Sequence, residues 1–81
     1  MGLVFNKENY ELAKKNGLLD RFRGDEISRR IAIKYPLSAQ IALLMDKDIK
    51  PGEWEAYQEF REKVKAEVDA EMAEMEKSMK A

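Results

Sequence analysis

Asp46-Lys47-Asp48 lies between two apolar runs and has the carboxylate spacing with which calcium loops begin. The remaining ligands are missing. A calcium loop starting at Asp46 needs glycine at its sixth position and glutamate at its twelfth. This chain has Pro51 and Tyr57 there, and Lys50 would repel the ion. Catalysis meets a similar lack. With no histidine and no cysteine, the commonest general base and the strongest nucleophile are absent, as are the usual ligands of structural zinc. Carboxylates are plentiful, but most sit among lysines, as in the i,i+4 pair Glu59 and Lys63, which is ordinary support for a helix surface. The four glycines are scattered and form no phosphate loop. The chain reads as no enzyme, with no cofactor and no metal.

Binding chemistry is better represented. Arg21, Arg23, Arg29, Arg30 and Lys34 form a basic cluster that could hold phosphates. It is diluted by Asp20, Asp25 and Glu26, so a mixed surface or pairing with an acidic helix competes with anion binding. Trp54, Tyr57 and Phe60 fall within two helical turns. Such aromatics are favoured binding anchors, but in a chain this short they are more often the core itself. Met72, Met75 and Met79 form a stripe of the kind that recurs on partner-accepting surfaces.

The elements that position these residues are punctuated by proline and glycine. Asn6 can cap a helix over about 7–15, which Gly17 would stop; Tyr10, Ala13 and Leu18 would face inward. Leu18, Leu19 and Phe22 cluster before Gly24. Asp25 can cap a second helix over about 26–34, with Ile27, Ile31 and Tyr35 on one face. Ile31-Ala32-Ile33 could instead pair as a short strand with Leu3-Val4-Phe5. Tyr35-Pro36 ends that element, and Ser38 caps a third helix over about 38–47 whose apolar set is Ile41, Leu44 and Met45, flanked by Leu37 and Ala42. The last helix begins near Pro51, a favoured first-turn residue. Its apolar residues are Trp54, Tyr57, Phe60, Val64, Val68, Met72, Met75 and Met79, at a mean spacing of about 3.6 residues, the helical period.

A helix over 53–81 would be about 43 Å long, and each earlier helix only about 15 Å. The expected fold is all-α, a single domain over 1–81. Three short helices would pack on the first half of the long one, leaving 70–81 as a helical extension. Trp54 to Val68 would form the core, with Trp54 buried. The extension would fray, or would use Met72, Met75, Met79 and neighbouring Val68 to bind a second chain, giving a homodimer.

Charge and length bound the rest. The 81 residues carry a net charge of −1, unevenly spread. Residues 1–50 hold ten Lys/Arg against seven Asp/Glu, and residues 51–81 hold five against nine. The two halves are expected to attract each other, in one chain or across a dimer. Met1 to Phe5 is too short an apolar run for a signal peptide or a span, and Asn6 stands where myristoylation needs Ser or Thr. The chain reads as soluble and cytoplasmic, with no membrane partner.

One stretch resembles a known group. It comprises Ile31, Lys34-Tyr35-Pro36-Leu37-Ser38, Ile41-Ala42-Leu43-Leu44, Asp48-Ile49-Lys50-Pro51-Gly52-Glu53-Trp54, then Tyr57 and Lys65. The pattern is similar to small uncharacterised accessory proteins of phages and prophages of gut bacteria, whose genes often lie near tail genes. It covers about 35 of the 81 residues, mostly caps and core positions. Those relatives continue with a cysteine-bearing helix, and this chain has no cysteine. The resemblance implies an accessory protein of tail assembly or the virion, made in a bacterial host cell, and carries over no catalytic residue. The function expected is protein binding or assembly. The alternatives are inhibition of a host enzyme, or weak nucleic-acid binding through the Arg21–Lys34 cluster.

Overall fold

The computed structural model describes residues 4–80, which form four helices: α1 (Lys7–Lys15), α2 (Leu19–Lys34), α3 (Leu37–Asp46) and α4 (Pro51–Lys80). The described residues contain no strand, and Ile31 to Ile33 lie inside α2. Met1, Gly2, Leu3 and Ala81, on which the myristoylation reading, the first residue of the strand pairing and the end of the last helix fell, lie outside the described residues.

α1 begins as its sequence dictates. Asn6 has extended backbone, and its side chain accepts from the Asn9 N–H at 2.8 Å. Gly17 has φ 70°, the left-handed conformation that only glycine adopts without cost. Leu18, expected inward, is half-exposed; Leu19 and Phe22 take the inner positions. The turn is tight enough that α2 starts at Leu19 rather than near residue 26. Gly24 is therefore a mid-helix residue, at a propensity cost of about 1 kcal/mol. Asp25 caps nothing; it faces Arg21 across one turn at 4.0 Å. Continuous packing of Phe22, Ile27 and Ile31 carries the helix through the glycine.

Helix α4 is the spine of a body 50 × 23 × 18 Å. The start of α2 meets the far half of α4, through Arg23 and Asp69, while its end meets the near half, through Tyr35 with Tyr57 and Phe60. The two helices thus run in opposite senses. One core cluster holds Ile27, Ile31, Tyr57, Val64 and Val68. A second holds Tyr10, Ala13 and Phe22. Phe5 and Met72 pack against both and join them. Trp54, expected to be buried, is half-buried at the edge of the first cluster.

As expected, three short helices pack against the long α4. Their cover also reaches beyond its first half. α1 folds back over the far end: the Tyr10 hydroxyl donates to Glu76 Oε2 at 2.9 Å, and Lys14 pairs with the same carboxylate. Met75 and Met79 pack on the Tyr10–Ala13–Phe22 cluster. Val68 has no exposed surface at all. Of the stripe, Val68 is thus buried, and Met72, Met75 and Met79 are partly buried against the core clusters within the chain. The 9, 16 and 10 residues of α1, α2 and α3 make helices of about 14, 24 and 15 Å, which meet different stretches of the spine of about 45 Å.

Candidate protein-docking face

The uncovered apolar surface lies on α3. Seven of its ten residues are apolar, and a helix apolar all round does not itself select an inner face. Two hydrogen bonds make the selection. The Tyr57 hydroxyl donates to Gln40 Oε1 at 2.6 Å, and Gln40 Nε2 donates to the Tyr35 carbonyl at 2.7 Å. Gln40 thereby ties α3 to α4 and to the end of α2. Leu43, one turn on, packs against the first core cluster. The set expected inward, Ile41, Leu44 and Met45, consequently faces out, together with Leu37. Their exposures are 50%, 53%, 76% and 71%, and their spacing puts all four on one side of the helix. Ile33 and Ile49, just before and after α3, are exposed as well. Ser38 makes no cap bond, and the helix starts at Leu37 after Pro36.

Beneath this face lie two adjoining open depressions. One, of about 360 Å³, is lined by Ile27, Ser28, Ile31, Ala32, Leu37, Gln40, Tyr57 and Arg61. The other, of about 250 Å³, is lined by Gln40, Ile41, Leu44, Trp54, Tyr57 and Arg61. They share Gln40, Tyr57 and Arg61, and Arg61 is the one charged residue lining either. Its guanidinium donates to Gln58 Oε1 at 3.0 Å and lies over the Tyr57 ring at 5.7 Å. Trp54 contributes its ring, with the Lys47 ammonium 5.8 Å from its centroid.

The basic cluster is drawn together but largely occupied. Arg23 makes a two-pronged contact with Asp69 at 2.5 and 3.2 Å. Arg29 does the same with Glu26 at 2.9 and 2.7 Å. Arg30 donates to Glu26 at 2.6 Å and to both oxygens of Glu71 at 2.6 and 2.9 Å. Lys34 sits over the Phe60 ring at 4.7 Å, and Arg21 has only the 4.0 Å approach to Asp25. Hydrogen bonding to Arg23 holds Asp69 below the usual carboxylate range, and hydrogen bonding to Arg30 does so for Glu71. The acidic partners from α4 confirm that the two halves attract within one chain. No group of three or more acidic residues placed to hold a metal occurs among the described residues, and no described helix is long and apolar enough to cross a membrane.

The fold and this face define an all-α module of four helices with an unpartnered apolar groove. Comparison with family models, curated proteins and solved structures gives no match, so the face is read on its geometry. The sequence pointed to Val68, Met72, Met75 and Met79 as the contact surface. It set Ile41 and Leu44 inward and did not single out Gln40 or Arg61; the one local signal was Gln40, a polar residue inside an apolar run.

Proposed function

We propose that this chain is a non-enzymatic protein-binding module that docks a partner protein on the outer face of α3. One observation carries the reading: Leu37, Ile41, Leu44 and Met45 are half or more exposed on one side of a helix, above an aromatic-floored groove. Contiguous apolar patches are costly to leave in water and mark interaction sites. A side chain of this size yields about 1.5–3 kcal/mol on full burial, so each half-exposed member has about 1 kcal/mol still to gain. The resemblance of residues 31–65 to phage accessory proteins covers this same segment, and supports a role in tail assembly or the virion, or in binding a host enzyme, inside a bacterial cell.

Nucleic-acid binding is the weaker reading, because Arg23, Arg29 and Arg30 already hold carboxylates. Homodimerisation through Val68, Met72, Met75 and Met79 has less support, since Val68 is buried and the three methionines are partly buried within the chain. Photo-crosslinking tests the docking face. A benzophenone side chain replacing Leu44, in cells that make the protein, is expected to give one discrete protein adduct that the same group at Lys63 does not. Equal labelling from both positions, or none from Leu44, would remove the reading.

A further inference from the structure

Resting on that docking reading, we propose that the occupant of the α3 groove is an amphipathic helix of a partner protein that brings a carboxylate to Arg61. The helical form follows from the surface. The described residues offer no strand edge to which an extended segment could add. Leu37, Ile41 and Leu44 stand at helical spacing, as a ridge against which a second helix can pack, and the ten residues of α3 give a contact about 15 Å long.

The charge follows from Arg61. It lines both depressions, no carboxylate lines either, and among the described residues it makes no ion pair. Its neighbours are a neutral amide and an aromatic ring. Covering this groove with apolar groups alone would bury a cation without its counter-ion, which is strongly unfavourable. A carboxylate arriving with the partner removes that penalty and can take the guanidinium with two hydrogen bonds.

The same point argues against a second copy of this chain. The one acidic residue of α3 is Asp46, which helical spacing puts on the side away from Leu37, Ile41 and Leu44. A symmetric contact of ridge against ridge would cover both Arg61 side chains and set no acidic residue of α3 opposite them.

The test uses synthetic 14-residue helical peptides with leucine at positions i, i+4 and i+7. A single glutamate, glutamine or lysine is placed at each remaining position in turn, and binding is followed by Trp54 fluorescence and anisotropy. At the best position the glutamate peptide is expected to bind at least tenfold more tightly than its glutamine counterpart, and the lysine peptide least. Arg61→Glu, checked for unchanged circular dichroism, is expected to reverse the order, and Leu44→Asp to abolish binding of all three. Equal affinity for the three peptides, or an unchanged order in Arg61→Glu, would overturn the carboxylate while leaving the docking face standing. No binding by any peptide, together with a discrete adduct from position 44, would overturn the helical partner alone. A concentration-dependent dimer in sedimentation that Leu44→Asp dissolves would give the groove to a second copy and overturn the proposal.

Discussion

Glu26 is 5% exposed and accepts from both Arg29 and Arg30. The hydrogen bond from Arg29 is the largest influence on it and, with Arg30, outweighs the opposing effect of burial, so its carboxyl stays below the ordinary range. A carboxyl lowered on folding contributes stability that is complete above its unfolded value, about 4.3. That contribution is lost as pH falls through the lower folded value. Asp69 and Glu71 act in the same direction. Stability is therefore expected to hold from pH 7 to about 5 and to decline below about 4.5. Glu26→Gln is expected to cost about 1–3 kcal/mol at pH 7, as for a buried group that loses charged partners, and the difference from the unsubstituted protein is expected to narrow as pH falls through the lowered folded value of Glu26. Urea midpoints followed from pH 7 down to the lowest pH at which the chain stays folded measure both. A difference undiminished over that whole range would show that the loss is one of packing rather than charge. None of this was visible in the sequence, where Glu26 served only to dilute a basic cluster. Its burial depends on α2 running unbroken through Gly24.

At the scale of elements, the legible features were local and the missed ones were tertiary. Asn6, Gly17, Tyr35-Pro36 and Pro51 marked real boundaries because each acts on its own backbone. Gly24-Asp25 looked like another boundary, yet packing on both sides overrode it. The inner face of α3 was hard to read for a different reason: a helix with seven apolar residues in ten shows little periodicity, and the hydrogen bond from Tyr57 to Gln40 spans 17 positions. The placement of α1 was likewise hidden, since Tyr10 meets Glu76 across 66 positions. α1 acts as a clasp on the end of α4, with Ala13, 1% exposed, in the cluster that Met75 and Met79 pack against. Ala13→Leu is expected to overpack that contact at about 1–3 kcal/mol. The cost should appear as local opening. Amide exchange should accelerate in α1 and beyond about Ala70, while protection of Ile27, Ile31 and Val64 is retained. Unchanged exchange beyond Ala70 would mean that α4 holds its last turns without α1.

For the whole molecule, the unequal distribution of charge and of apolar surface answers different needs. The basic and acidic halves meet through Arg23–Asp69, Arg30–Glu71 and Lys14–Glu76, which fasten α1 and α2 along α4. The outer apolar side chains of α3 are members of neither core cluster. If that face exists for docking, the fold does not require it. Replacing Ile41, Leu44 and Met45 together with glutamine is then expected to leave the thermal midpoint within the range of ordinary surface changes, about ±0.5 kcal/mol per site. The variant should also resist aggregation better than the unsubstituted chain, because a contiguous apolar patch has been removed. Ile27→Ala, by contrast, deletes a buried side chain of the first core cluster and is expected to cost about 2–5 kcal/mol. Thermal melts and light scattering on the two variants decide the matter. A glutamine triple variant as damaged as Ile27→Ala would make the face part of the chain's own core. A variant as stable as the parent, with no adduct formed from position 44, would show that the exposed face is tolerated without being used.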